Sequence, residues 1–320
     1  MTTKLTEIKI RWVIAHDPIS LFIRAARSFS KAINEKLTST QIDIEIMTLS
    51  DYSQRYNNGI EVTKHDLLDL MNAGKIEMSQ MYTTWLAEKY HSDMHVLDLP
   101  FLFRDHDHAQ AVLEGNIGEQ LLCGLTENSN IRGLAFTYSG GFRMIPGTKA
   151  IRSIHDFKGT SIRSNKNPYA METFRSVGAN PVARELEEIN EGVEEGLFMG
   201  GESAWPRVYP LDQNKFSTVM NDTRHSLFLT SMIIQKTFWD TLDAETQSQI
   251  KFAAVNAARE ERFASIQDGE LAMEKARLEG IEIVTLPPEE MKKFEDATQS
   301  VYEKYGHHFP SGMIEKIKLH

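Results

Sequence analysis

The N-terminal stretch alternates between apolar and polar positions and then changes to helical spacing. Residues 8–14 alternate in the manner of a half-buried strand. Asp17 and Pro18 follow, and aspartate suits an N-cap while proline suits the first helical position. Apolar side chains then recur at helical spacing between positions 19 and 37. The pattern predicts a strand followed by a helix.

The same order continues along the chain. Residues 42–46 alternate as a second strand, residues 67–71 form a short apolar helix, and residues 76–82 form a third strand. This βαβαβ order predicts a parallel, doubly wound sheet, whose ligands bind outside the carboxyl ends of the strands. Polar residues just after these strands, Asp17, Tyr82 and Thr83, are therefore candidate walls of a ligand cleft.

A second set of elements follows and repeats the rhythm. The predicted elements are a strand near 133–138 that breaks at Gly140-Gly141, a strand at 160–163, a helix at 168–177, an acidic helix at 185–195, a strand at 197–199, a long helix at 243–280, a closing strand at 281–284 and a helix from Pro288. At 1.5 Å per residue the long helix is able to lie across two lobes.

The length of the chain supports two lobes. With 320 residues it exceeds what one hydrophobic core usually holds. We predict an α/β fold in which each lobe is a mixed, mostly parallel sheet flanked by helices, with a ligand cleft between the lobes. Lobe I is predicted to comprise 1–139 and 227–268, and lobe II 140–226 and 269–320.

The net charge and the composition argue against some classes of binding partner. The formal net charge of −10 repels phosphate backbones and anionic lipid, which argues against a nucleic-acid partner. No window reaches about 18 uninterrupted apolar residues, so direct membrane insertion is not expected. The single cysteine, Cys123, follows two leucines and is expected to be buried.

Two arginines are the candidate ligand anchors. Arg143 follows the Gly-Gly break, and Arg163 ends a predicted strand at the edge where a parallel sheet presents residues to its ligand. A guanidinium group pairs with a carboxylate through two parallel hydrogen bonds. From position alone, surface arginines engaged in ion pairs within the protein remain the alternative.

Signs of cofactor, metal or catalytic chemistry are weak. The sequence contains no glycine-rich phosphate loop, and we expect neither a cofactor nor a metal. The segment GESAW at 201–205 copies the first four positions of a nucleophile elbow, but Trp205 and Pro206 do not suit its tight turn. A serine hydrolase using Ser203 is kept as a remote alternative.

Several segments in order along the chain resemble the solute-binding proteins of TRAP (tripartite ATP-independent periplasmic) transporters, of the dicarboxylate-binding type. The matching segments are LMNAGKIEM at 70–78, LPFLFRDHDHA at 99–109 with Gly115, GFR at 141–143, IHDFKGTSIR at 154–163, GANPV at 178–182 and the Gly200/Glu202 region.

The resemblance implies a type II-like periplasmic-binding-protein fold and a transport role. Such a protein captures a small organic acid between its lobes by hinge closure and delivers it to the permease subunits in the membrane. It implies a periplasmic location with the leader absent from this sequence, a monomer, and no enzymatic activity. In the family, the arginine matching Arg163 clamps the ligand carboxylate and the one matching Arg143 assists. A ligand-sensing module of the same fold for a signalling partner is the alternative.

Other candidate contacts come from the same comparison. Asn165 is a candidate polar wall residue, and Glu202 belongs to a loop whose sequence departs from the family pattern. Trp205 is interpreted either as a pocket wall or as a core residue. Arg184 stands where the family usually has an apolar residue; it either faces the ligand and favours a second acidic group, or pairs with the nearby glutamates.

Overall fold

The computed structural model describes residues 6–16, 20–34 and 40–320, which form two compact units. The first unit comprises Met1–Ser92, Leu113–Thr137 and Thr230–Ala264. The second unit comprises Asp93–Val112, Tyr138–Leu229 and Ser265–His320.

The strands of the described chain are short except for four. They are β1 (Thr6–Ile14), β2 (Thr40–Thr48), β3 (Met78–Tyr82), β4 (Ile131–Gly147), β5 (Ser161–Ser164), β6 (Asn180–Ala183), β7 (Ser203–Ala204), β8 (Val219–Asn221), β9 (Leu227–Gln235) and β10 (Glu282–Val284).

The helices alternate with these strands in both units. They are α1 (Ser20–Asn34), α2 (Leu49–Tyr56), α3 (Leu67–Asn72), α4 (Thr83–Lys89), α5 (His106–Glu114), α6 (Asn116–Asn128), α7 (Pro168–Ser176), α8 (Ile189–Glu194), α9 (Lys236–Asp240), α10 (Ala244–Leu278), α11 (Pro288–Ala297), α12 (Gln299–Tyr305) and α13 (Met313–Leu319).

In the first unit β1 lies between β2 and β3 and runs parallel to both, as predicted. Strand β3 then pairs with β9 in the antiparallel direction, so the sheet is mixed. Ile10, Trp12 and Ile14 of β1 are buried, because both faces of a parallel sheet are covered.

In the second unit β4 pairs with β7 and β8 in the antiparallel direction, while β8 and β10 are parallel. The parallel pair β5 and β6 forms a separate small sheet. A core of aromatic and aliphatic side chains supports β5, with Phe157, Ile162, Phe174 and Phe294 fully buried. This core fixes the strand that carries Arg163.

The predicted α/β class and the long helix are confirmed. Helix α1 has the predicted spacing over 20–34, whereas the predicted start at Asp17 and Pro18 lies outside the described residues. The acidic stretch is a 3₁₀ turn followed by the short helix α8.

Three local predictions are wrong. Strand β4 does not break at Gly140-Gly141 but continues through both residues, whose positive φ angles, 114° and 85°, glycine adopts without steric cost. Residues 197–199 form no strand. Cys123 is exposed, because α6 turns its neighbours Leu121 and Leu122 inward and leaves the thiol on the outer face.

Among the described residues, no helix combines the length and the apolar character needed to cross a bilayer. Within the same residues, no group of three or more His, Cys, Asp or Glu side chains is arranged to hold a metal ion.

Candidate ligand-binding site

Arg163 lies on β5 and is fixed on both sides by main-chain hydrogen bonds. Its N–H donates to the carbonyl oxygen of Gly200 at 2.9 Å, and its carbonyl accepts from the N–H of Glu202 at 3.0 Å. Because β5 and β6 are parallel, Arg163 stands near the carboxyl end of a parallel pair, where open α/β sheets bind ligands.

The guanidinium group of Arg163 is buried and held by main-chain oxygens. Its Nε donates to the carbonyl of Arg184 at 2.8 Å and its Nη1 to the carbonyl of Glu202 at 3.2 Å. Burial, the largest influence, lowers the pKa of Arg163 to about 10, and Glu202 opposes that effect. Arg163 is therefore charged at neutral pH, and within the described part of the chain it hydrogen-bonds to no carboxylate.

Arg143 is the second buried cation of this site. Its N–H donates to the carbonyl of Ser226 at 2.8 Å, which anchors this part of β4. The centre of its guanidinium group lies 3.7 Å from the centre of the Phe228 ring, a cation–π contact. The aromatic face thus supports a charge that is only 5% exposed.

Glu202 supplies a buried negative charge beside the two cations. Its carboxylate accepts from the Ser164 hydroxyl at 2.7 Å and from the Asn165 N–H at 3.3 Å. Its Oε1 lies 3.1 Å from Nε2 of His225. Because an ionised carboxylate only accepts, this nitrogen carries the hydrogen.

The charges of this cluster are coupled. Burial by itself raises the pKa of Glu202, but the Arg143 charge and the hydrogen bonds from His225 and Ser164 outweigh it and lower the pKa to about 2. Arg143 in turn lowers the pKa of Arg163. The charges of Arg143 and Arg163 both act on the buried Glu202 carboxylate, so the cluster of Arg143, Arg163 and Glu202 brings two cations and one anion together. Such an excess suits an anionic ligand.

Comparison with known proteins identifies the family. The family described as bacterial extracellular solute-binding protein, family 7, matches residues 15–308 of the chain. The chain belongs to this family. The resemblance to TRAP solute-binding proteins inferred from the sequence motifs is thereby confirmed.

Two curated relatives illustrate the similarity. The chain is 28% identical over 205 residues to the 2,3-diketo-L-gulonate-binding periplasmic protein YiaO of Escherichia coli K12, covering 64% of the chain and 61% of that protein. It is 23% identical over 285 residues to the C4-dicarboxylate-binding periplasmic protein DctP of Rhodobacter capsulatus, covering 89% and 82%. The matches span 66% and 61% of the length of the first two curated relatives.

Two solved structures share the fold over almost the whole chain. A TRAP periplasmic solute-binding protein from Pseudomonas putida F1 with bound D-glucuronate has a TM-score of 0.82 and 26% identity, covering 97% of this chain and 96% of that one. Another from Xanthobacter autotrophicus Py2, with bound β-D-galacturonate, has a TM-score of 0.81 and 25% identity, covering 97% and 99%.

The other predicted residues of the second unit take different places in this solute-binding protein. Asn165 follows β5 and donates its N–H to Glu202. Arg184 is exposed and pairs with Glu188 at 3.4 Å, while its carbonyl oxygen orients Arg163. Trp205 packs in a core with Met144 and donates its indole N–H to Asp222 at 3.0 Å.

Of the predicted residues of the first unit, Tyr82 belongs to an aromatic cluster. The Tyr82 hydroxyl lies 2.8 Å from Nδ1 of His16, and its ring meets Phe22 and Trp85 edge to face. Thr83 is buried at the start of α4. Asp17 lies outside the described residues.

Ser203 has no base beside it in the described structure. Its hydroxyl is fully buried and donates to the side-chain oxygen of Gln213 at 2.6 Å. The imidazole of His225 is engaged by Glu202 and by Thr223. This geometry gives the hydrolase alternative no support.

Three residues that contact the charged cluster were not predicted from the sequence. His225, Ser164 and Phe228 hold Glu202 and Arg143 in place, yet only Ser164 lies next to a predicted site residue in sequence. A serine directly after a strand-terminal arginine was an available signal for Ser164. Nothing in the local sequence indicated that residues more than 60 positions from Arg163 would join it.

Proposed function

We propose that this solute-binding protein captures a small organic acid through Arg163 and delivers it to the membrane subunits of a TRAP transporter. The observation that carries the proposal is the buried guanidinium group of Arg163, whose hydrogen bonds go to main-chain carbonyls. A buried guanidinium group that is not hydrogen-bonded to a carboxylate destabilises the protein unless an anion pairs with it. A ligand carboxylate supplies that anion and matches the planar fork of the guanidinium group.

The acid is proposed to be a sugar acid or another polar carboxylate. Support comes from the D-glucuronate and β-D-galacturonate held by two similar structures and from the ligands named for the curated relatives. Arg143 is proposed to assist Arg163, since both lie beside Glu202. Glu202, fully buried, is proposed to hold the arginines rather than to touch the ligand.

The remaining parts of the proposal follow from the family. We propose a periplasmic location, a permease in the membrane as partner, and the two predicted lobes as the functional bodies. Binding without turnover is proposed, and the Ser203 geometry accords with it. The acid recovered from a saturated sample is expected to be chemically unchanged, which mass spectrometry of the released ligand checks.

The test is a thermal-shift screen of uronates, aldonates, C4-dicarboxylates and aromatic acids against the wild type and Arg163→Lys. A ligand at about 100 times its Kd adds about 2.7 kcal/mol to the free energy of unfolding. Arg163→Lys keeps the positive charge but loses the planar guanidinium group that donates two parallel hydrogen bonds to a carboxylate. The affinity for the acid is therefore expected to fall about 10- to 150-fold, corresponding to about 1.5 to 3 kcal/mol.

A matched control uses an arginine away from the site. Arg175 is half-exposed and pairs with Glu172, so Arg175→Lys should leave every thermal shift unchanged. Equal binding by the wild type and Arg163→Lys would move the carboxylate site elsewhere. A wild type that responds to no acid in the screen would contradict the proposed function.

A further inference from the structure

We infer that Asn167 is a ligand-binding residue, which donates a hydrogen bond to an oxygen that the acid carries beside its carboxylate. The inference rests on the proposed function and deepens it, because it selects hydroxy acids, including sugar acids, over acids that lack a hydroxyl group. Asn167 was not among the residues predicted from the sequence.

Asn167 caps α7 with only one end of its side-chain amide. Its Oδ1 accepts from the N–H of Tyr169 at 2.8 Å, and Pro168 follows as the first helical residue. Its own N–H donates to Oδ1 of Asn165 at 3.1 Å, and its carbonyl accepts from Met171 at 3.1 Å. The main-chain N–H, the carbonyl oxygen and Oδ1 of Asn167 therefore each have a hydrogen-bond partner.

The other end of the amide has no partner. Asn167 is 4% exposed, and its Nδ2 is buried without a hydrogen-bond partner among the described residues. A flipped amide would not remove the problem, because Nδ2 would then face the N–H of Tyr169, donor against donor. The helix therefore fixes the amide orientation and turns two N–H donors away from the helix end.

The position of this donor connects it with Arg163. Both residues belong to the stretch 163–167 at the carboxyl end of β5, beside its parallel partner β6. Between them, Ser164 and Asn165 are both bonded to the buried carboxylate of Glu202. One short segment therefore carries a buried cation and a buried neutral donor, both held rigidly by hydrogen bonds.

A buried donor that stays unsatisfied destabilises a protein, so its presence at this edge indicates a partner that arrives with the ligand. The amide is neutral and donates, so it matches an acceptor oxygen such as a hydroxyl group. An acid without that oxygen leaves Nδ2 unpaired and is rejected, which is how sites built around a hydrogen bond discriminate. Arg163 would hold the carboxylate and Asn167 the oxygen beside it.

The test uses Asn167→Thr and Asn167→Ser. Threonine and serine both supply the N-cap oxygen that Tyr169 needs, add no charge and lack the amide donor, so the fold is retained while the proposed contact is lost. Asn180→Ser is the matched control, because Asn180 is exposed and its amide donates to the carbonyl of Gly159. Circular dichroism checks that each variant is folded.

Each protein is titrated calorimetrically with paired acids: malate with succinate, erythronate with butanoate, and lactate with propanoate. The wild type is expected to bind the hydroxylated member of a pair more tightly. Both Asn167 variants should weaken that member by about tenfold or more and leave the other member nearly unchanged. In both Asn167 variants the ratio of the affinities for the two acids is therefore expected to fall toward one, whereas Asn180→Ser should keep the wild-type ratio.

Three results overturn the inference. If both variants keep the wild-type ratio while Arg163→Lys loses binding, Asn167 does not contact the ligand and the proposed function stands. If the wild type prefers the acids without a hydroxyl group, the proposed selectivity is wrong. If the wild type binds no carboxylate in these pairs or in the wider screen, the proposed function fails and the inference fails with it.

Discussion

Glu202 is the residue on which the charged cluster depends. It is a fully buried carboxylate between a serine hydroxyl, a main-chain N–H and an imidazole, and the Arg143 charge contributes most to keeping it ionised. Removing one member of a buried ionic group leaves the others uncompensated in a medium of low polarity. The arginines are thus positioned by a group that the ligand need not touch.

Glu202→Gln is expected to change the dependence of stability on pH. The pKa of Glu202 is about 2 in the folded protein, below its ordinary value of 4.5, so the charged form favours the folded state. This contribution, about 3 kcal/mol, is complete above pH 4.5 and is lost as the pH falls toward 2. Urea unfolding of both proteins between pH 7 and pH 2.5 measures it.

The difference between the two proteins should be largest at neutral pH and should shrink below pH 4.5. His106 also titrates in acid, since burial lowers its pKa to about 4, but it is present in both proteins and cancels in the comparison. A difference that is constant from pH 7 to pH 2.5 would show that Glu202 does not lose its charge in this range or contributes through packing alone.

At the scale of elements, the segment that joins α8 to β7 passes very close to its neighbours. A Cβ atom on Gly200 would lie 2.1 Å from the carbonyl oxygen of Pro146, and one on Gly201 would lie 2.7 Å from the Cβ of Arg163. Both distances are shorter than atoms tolerate, so only glycine lets this segment bridge β4 and β5.

Gly201→Ala is expected to push β5 away and to displace Arg163. Overpacking of this kind costs about 1 to 3 kcal/mol of unfolding free energy. Because the displaced atom belongs to the proposed anchor, the affinity for a carboxylate should fall as well, by about tenfold or more. Chemical unfolding and calorimetric titration of the same variant measure the two effects.

Gly269→Ala provides a contrast within the same unit. Gly269 lies inside α10, and an added Cβ would make an ordinary contact of 3.5 Å with Trp205. Alanine favours the helix, so stability should rise by about 0.5 to 1 kcal/mol with ligand affinity unchanged. A stability loss in Gly269→Ala as large as that in Gly201→Ala would mean that the loss comes from glycine replacement in general.

At the scale of the whole molecule, the net charge affects whether copies of the chain associate. The net charge of −10 makes copies of the chain repel one another, which favours a monomer at low salt. Sedimentation equilibrium is therefore expected to give 36.5 kDa without ligand. A species of twice that mass at micromolar concentration would contradict this prediction.

Much of the fold was predictable because it depends on local patterns. Alternation identified β1 and β2, and helical spacing identified α1 and α10. The local sequence pattern was misleading where the surrounding structure determines the backbone conformation. The glycines at 140 and 141 look like a break, yet β4 continues through them and pairs with β7 and β8 just beyond, at residues 143–147.

The candidate site was predictable in part. Arg163 was identified because it ends a predicted strand at the edge where a parallel sheet presents residues to its ligand, and the structure places it near the end of β5 as a buried cation. Arg184 and Trp205 had two interpretations each, and the structure places them in an ion pair and in a core. The burial and the hydrogen bonds of these two side chains decided between the interpretations, and neither property is readable from the local sequence.

The sequence by itself determined the class of fold and most of the long elements, because periodicity and capping residues act over a few neighbouring positions, and it singled out Arg143 and Arg163 as candidate anchors. Only the tertiary structure decided which groups meet Arg163. The carboxylate of Glu202 and the imidazole of His225 meet although they are 23 positions apart, and Nδ2 of Asn167 lacks a partner because the packed structure buries it. Chemistry at this site depends on desolvation, and desolvation is a property of the packed molecule.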